Sequence, residues 1–446
     1  MIVTPVDPVV KQASSQVAPA PGLATPLPLG CGVTLPNRLF KSAMTEGLAD
    51  PHDRATARHV TLYRQWSAGG TGTLVTGNVM VDRRYLERPG NVVVEDETGV
   101  EALAAWAAAG RSAGNQLWMQ ISHPGRQCTR FVTSEPVAPS AVQLRLGGLF
   151  GKPRALEEDE ILDIIRRFAE TARIAKLAGF SGVQVHGAHG YLCNQFLSPR
   201  TNVRTDGWGG PLEKRARFLR EVVRGVRRVV GPGFPVSVKL NSSDFQKGAF
   251  THEDACQVAA WLVEDGIDLL EISGGTYERL RLFGIGREED QAKAAGTERR
   301  EAYFLEYAAA MRKAARVPLA VTGGFRTRAA MVASLADRQL DVVGLARPLC
   351  TTPDLGRRLL DGSETHARAD EKLLRLGPGW FGPASSNAMI RGMNAQAQTA
   401  WFYRQLICLA EERPLELGLS GRGALLRHYV NEFRLSRARV HRKAAR

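Results

Sequence analysis

Between about Leu35 and Leu355, short apolar runs alternate with longer stretches whose apolar residues recur every three or four positions. The runs "LFKSAM" (39–44), "GTLVTGNV" (72–79), "QLWMQIS" (116–122) and "SGVQVHG" (181–187) have the length and composition of buried strands. Four more follow: "FPVSVKL" (234–240), "IDLLEIS" (267–273), "VPLAVTG" (317–323) and "DVVGLA" (341–346). The intervening stretches carry helix signals. "LEEDEILDIIRRFAETARIAKLAG" has acids in its first turn and ends at Gly179, while "PLEKRARFLREVVRGVRRVVG" opens on proline and ends at Gly231.

Eight such alternations predict an α/β chain folded as a (β/α)8 TIM barrel. An open doubly wound sheet shares the rhythm, so the polar positions decide between them. Met44 and Thr45, Thr76 and Gly77, Gln120, His186, Lys239, Ser273 and Gly274, Gly323 and Gly324, and Ala346 and Arg347 fall at or near the C-terminal ends of their runs. In a barrel those ends converge on one mouth, where active sites are built. The expected organisation is a flexible N-terminal arm (1–27), the barrel (28–360) and a C-terminal helical extension with a basic tail (361–446).

Composition narrows the class. Of 446 residues, 44% are hydrophobic and 23% charged, as in globular proteins. No apolar stretch reaches the roughly 18–20 residues of a membrane span, and the first residues lack a basic segment followed by an apolar core. Six scattered cysteines without a CxxC argue against a zinc site, an iron–sulfur cluster or a disulfide framework. No metal is expected, and the cytoplasm is the expected location.

The net charge of +14 sits partly in "RGALLRHYVNEFRLSRARVHRKAAR", where Glu432 is the only acid. Without an aromatic-interleaved basic motif, a solvated helix end or a disordered extension explains this tail more economically than nucleic acid. Peripheral membrane contact is a lesser reading. The preceding "TAWFYRQLICLAEERP" reads as a helix with Trp401, Phe402, Leu406, Ile407 and Leu409, suited to covering the barrel or to a homo-oligomer contact.

The most specific stretch is "AGFSGVQVHGAHGYLCNQFLSPRTNVRTDGWGGPLEKRARFLREVV", supported by "LPNRLFKSAMTEGLAD", "WMQISHPGRQ", "VKLNSSDF", "ISGGTYE", "VTGGFRT" and "VGLARPL". In this order, over roughly residues 28–360, they resemble the Old Yellow Enzyme-like flavin oxidoreductases (ene-reductases). The resemblance implies non-covalent FMN, reduced by NADH or NADPH, passing hydride to a small-molecule alkene conjugated to a carbonyl. Hydride arriving at the β-carbon leaves negative charge on the carbonyl oxygen, and two donors aimed there lower the barrier. His186 and His189 are of the right type, and Tyr191 is similar to the family's proton donor to the α-carbon. A phenol with an ordinary pKa near 10 has its proton to give at neutral pH.

Further family positions fall on the strand ends. Lys239 matches a cation at flavin N1/O2, although a Schiff-base lysine is an open alternative. Gln120 fits the pyrimidine edge, where an amide donates and accepts. Ala43, Met44, Thr45 and Gly77 match flavin contacts after the first two strands, with Thr45 near flavin O4. Ser273 and Gly274 suit the ribityl chain or phosphate. Gly323, Gly324, Ala346 and Arg347 suit the phosphate grip that barrels place after strands seven and eight. Some relatives carry a substrate-gripping tyrosine where this chain has Gly47, so that side of the pocket is expected to be more open. Other flavin reductions (of nitro compounds, N-methyl compounds or dienoyl thioesters) stay open, as does an RNA-binding barrel using the basic tail.

Overall fold

The computed structural model describes residues 20–145, 148–273 and 307–443, without the side chains of 440–443. Most of the expected N-terminal arm, Gly274 and the last residues of the tail lie outside them. Eight strands form one closed parallel sheet: β1 (Leu39–Lys41), β2 (Thr73–Val75), β3 (Gln116–Ser122), β4 (Gly182–Gly187), β5 (Val236–Asn241), β6 (Leu269–Ser273), β7 (Leu319–Thr322) and β8 (Val342–Leu345). Each pairs with the next, and β8 returns to β1 through Val343–Leu39 and Leu345–Lys41. The closure excludes the doubly wound sheet and establishes the (β/α)8 barrel.

Helices cover the outside. In chain order they include α1 (Ala57–Ala68), α2 (Val100–Gly110), α3 (Glu158–Leu177), α4 (Leu212–Val230) and α5 (His252–Glu264). After these come α6 (Arg328–Ala336), α7 (Leu355–Asp361), α8 (Ala388–Ala410) and α9 (Gly421–Lys443). The start of α3 shows why the pattern holds. Glu157 and Glu160 form a reciprocal cap, three acids complement the positive helix end, and Ile161, Ile164, Phe168 and Ala172 form the buried stripe.

Side chains alternate across each strand. Leu39, Leu74, Val183, Val238, Leu270 and Val343 join the core between sheet and helices. Phe40, Val75, Trp118, Leu269, Ala320 and Val342 form a separate cluster inside the barrel, closed from below by Leu27, Leu29 and Leu35. Gly182 is small because of this interior: a Cβ there would sit 2.5 Å from the Trp118 ring. The next inward layer, one pleat nearer the mouth, is polar.

The C-terminal extension corrects one expectation. The tail is neither merely solvated nor disordered over its described part: it forms α9, which docks on the barrel. Arg439 donates to both carboxylate oxygens of Asp53 at 2.7 and 2.8 Å, and Glu432 pairs with Arg88; all four side chains are buried. The expected apolar side chains of α8 are largely inside, Trp401 and Leu406 almost completely. Among the described residues, no helix is long and apolar enough to cross a membrane.

Candidate active site

Polar side chains inside the barrel form a connected layer above the apolar plug. Gln120 Nε2 donates to Gln184 Oε1 (2.6 Å), and Gln184 Nε2 donates to Glu271 Oε2 (2.9 Å). Thr322 Oγ1 donates to Glu271 Oε1 (2.7 Å) and lies 2.5 Å from Ser42 Oγ. Lys239 closes the layer with an ion pair to Glu271 at 2.9 Å. A buried ammonium needs such a partner, and two of its three protons remain for other acceptors. Gly344 belongs to the same layer, since a Cβ there would lie 1.9 Å from Thr322 Oγ1.

Above this layer, β4 ends in the His186–Tyr191 turn. The His186 ring lies 5.1 Å from that of His189 and 4.7 Å from that of Tyr191, centroid to centroid. The turn needs unusual backbone: His189 has φ +60° and Gly190 φ +81°, a region costly for a residue with a side chain. Hydrogen bonds hold it there. His189 N donates to Asn241 Oδ1 (3.2 Å), Gln127 Nε2 to the His189 carbonyl (3.1 Å), and Gly190 N to Asn194 Oδ1 (2.8 Å).

Electrostatics fix the protonation of the pair. Burial first, then the neighbouring His189 and Lys239, hold the His186 pKa well below its ordinary value; burial and Lys239 do the same to His189. Both imidazoles are therefore neutral at working pH. The Ala188 backbone N–H donates to His186 Nδ1 (3.2 Å), which leaves the ring proton on Nε2. His189 Nε2 lies 2.7 Å from Ser273 Oγ, tying the turn to the end of β6.

The structure places the other expected residues in two groups. Ala43, Met44 and Thr45 follow β1, and Gly77 follows β2; Gly77 N donates to Glu46 Oε1 (2.9 Å), and Glu46 also accepts from the Tyr63 hydroxyl. A Cβ on Gly77 would lie 2.5 Å from the Met44 carbonyl, so these two turns touch. On the other side of β1, after β7, Gly323 and Gly324 have successive positive φ of +113° and +87°. Ala346 and Arg347 follow β8, with Arg347 opening the turn Arg347–Cys350. Burial pushes the Glu371 carboxyl up, but Arg347 and Arg326 outweigh it and hold it below the ordinary range. Arg326 thus joins Arg347 beside this turn.

The expected opening at Gly47 is filled. Its φ is +70°, and a Cβ would sit 3.1 Å from the Arg88 guanidinium carbon. Gln184, Glu271 and Asn241 are site residues that the motifs did not flag. Strict alternation would have found them, for Gln184 and His186, Lys239 and Asn241, and Glu271 and Ser273 are two apart on inward faces.

A polar, partly cationic mouth with paired neutral imidazoles suits a planar cofactor that gains negative charge on reduction. The donor set fits FMN: an amide and an ammonium for the pyrimidine, and glycine backbone with arginine for the phosphate. Residues 22–366 match the NADH:flavin oxidoreductase / NADH oxidase family, and the chain belongs to it. It is similar to the NADH-dependent flavin oxidoreductase iliE of Hypocrea jecorina (strain QM6a), 38% identical over 359 residues covering 76% of this chain and 89% of that one. Among solved structures, it is similar to the old yellow enzyme homologue from Zymomonas mobilis, with TM-score 0.66, 26% identity and coverage of 80% and 98%. It is also similar to morphinone reductase, with TM-score 0.63, 27% identity and coverage of 78% and 91%. The chain is an Old Yellow Enzyme-like, NAD(P)H-dependent flavin oxidoreductase whose cofactor is FMN.

Proposed function

We propose that this flavoenzyme reduces a carbon–carbon double bond conjugated to a carbonyl. The observation that carries the reading is the cluster of His186, His189 and Tyr191 on one turn over the mouth. Bound FMN supplies hydride, taken from NAD(P)H and given to the substrate. Gln120, Lys239, Thr45, Ala43, Met44 and Gly77 would hold its ring. Ser273, Gly274, Gly323, Gly324, Ala346 and Arg347 would hold the ribityl phosphate.

The rest of the chemistry falls to the chain. As charge builds on the carbonyl oxygen, His186 Nε2–H and the His189 ring meet it as neutral donors, already oriented by Ala188, Asn241 and Ser273. The Tyr191 hydroxyl delivers the proton to the α-carbon, completing addition of hydride and proton across the double bond. Tyr191 is buried and stands immediately before the short helix Leu192–Leu197, a rigid seat for a donor. Lys239, braced by Glu271, would place positive charge at the pyrimidine edge, which gains electron density on reduction.

The test separates the two half-reactions. Tyr191→Phe is expected to slow reoxidation of the reduced enzyme by cyclohexenone on the order of 10²-fold, while reduction by NADH is spared. Equal slowing of both half-reactions would count against the proton-donor role. Faster reoxidation by a nitroarene or a dienoyl thioester than by any enone would move the enzyme to another substrate class.

A further inference from the structure

The C-terminal helix α9 reaches the mouth of the barrel. It lies on the loops that follow three neighbouring strands. Arg439 holds Asp53 after β1 and donates to the Arg83 carbonyl after β2 (3.0 Å); Ser436 Oγ donates to the Phe131 carbonyl after β3 (2.7 Å). One turn before Ser436, Glu432 accepts from Arg88 through both Nε (3.0 Å) and Nη2. The Arg88 guanidinium lies over the Tyr403 ring of α8, 4.3 Å from its centroid, and against Gly47, which leaves room for it. Arg88 is thus fixed from both C-terminal helices.

Its chain neighbour faces the site. Glu87 Oε2 accepts from Thr45 Oγ1 and from Asn78 Nδ2, each at 2.7 Å, and all three side chains are buried. The Arg88 backbone N–H donates to Asn91 Oδ1, and Asn91 Nδ2 to the Asn78 carbonyl, which ties the Arg88 loop to the segment that carries Asn78. The consequence lies in a proton. With its hydrogen committed to Glu87, the Thr45 hydroxyl presents lone pairs rather than a donor to whatever lies beside it. A carbonyl edge that gains electron density on reduction is stabilised by a donor and opposed by a lone pair.

We propose that Glu87 lowers the reduction potential of the bound flavin by holding the Thr45 proton, and that Glu432 is a positioning residue that sets Glu87 through Arg88. This rests on the reading that Thr45 adjoins the flavin. The C-terminal helix pair is then part of the redox apparatus rather than a cover.

The experiment equilibrates the full-length, FMN-loaded protein with a reference redox dye and compares reduced fractions. Glu87→Gln and Glu432→Gln should each raise the ratio of reduced to oxidised flavin at a fixed dye potential, by about threefold or more. In a Thr45→Ala background, neither should shift it further. An unchanged ratio in either variant, a lower one, or shifts that persist without the Thr45 hydroxyl would overturn the proposal. Should Glu432→Gln lose FMN, Glu432→Asp, which draws the carboxylate back from Arg88, decides the helix's part by the same criteria. Failure here is distinguishable from failure of the functional reading. Wild-type protein that takes up FMN and is bleached by NADH, with silent variants, sinks only this inference; protein that never takes up FMN sinks both.

Discussion

His186→Ala and His189→Ala are each expected to lower the rate of enone reduction on the order of 10²–10³-fold, the usual loss when one donor to a developing oxyanion is removed. FMN should stay bound, because its proposed contacts lie on other side chains. The same variants should weaken phenol-type ligands, whose oxygen mimics the charged carbonyl oxygen. Ligand affinity is read from the perturbed flavin spectrum, and the rate from rapid mixing of reduced enzyme with cyclohexenone. The losses should not add in full in the double variant, since the rings share one oxygen and touch each other. Wild-type phenol affinity in both single variants would show that the pair does not hold the oxygen.

Acid is expected to unfold the protein between about pH 6.5 and pH 4, with His59 as a leading cause. His59 begins α1 from inside: its Nδ1 accepts the Thr56 backbone N–H at 3.1 Å, and its ring packs on Trp106. Burial, with help from Arg58, brings its pKa down to about 3. Burial likewise brings His123 to about 4 and, with Arg88, His428 to about 3. The sign follows from proton uptake. Above about pH 6.5 neither folded nor unfolded imidazoles are charged, and these groups add no pH dependence. Below it the unfolded chain binds protons that the folded chain refuses, so stability falls as pH falls until the folded values are reached. At pH 5 each such histidine costs about 2 kcal/mol, against a typical total of about 5–15 kcal/mol. The raised Glu46 and Asp244 carboxyls act in the opposite direction. For His59, protonation also destroys the helix cap and puts a cation at the positive helix end. His59→Gln, whose amide oxygen can take the same bond without titrating, should move the acid midpoint lower. An unchanged midpoint would show that His59 is not a determinant.

Much of this site was legible because chemistry and chain order coincide within it. His186, His189 and Tyr191 lie within six positions, and their turn follows a strand whose alternation is plain. Lys239 stood out as a charge in an apolar run, although its partner did not: Glu271 sits in "LLEIS", 32 residues on, and only the register of β5 against β6 sets it opposite. The same holds for Gln184 with Gln120. The tail failed as a sequence reading for a stronger form of the same reason. Glu432 and Arg439 look like members of a solvated basic helix until the fold supplies Arg88 and Asp53, 344 and 386 residues away. Local pattern reports the faces of elements; it carries no record of which distant loop a charge will meet.

On the proposed reading, the barrel mouth seats FMN with Lys239 and Gln120 at its edge and the imidazole pair above it. A crystal structure of the FMN complex with p-hydroxybenzaldehyde tests that claim most directly. The expected result is a flavin ring against Gln120 and Lys239, with the ligand oxygen within about 3 Å of nitrogens of both His186 and His189. A ligand bound elsewhere, or imidazoles turned from the ring, would contradict it.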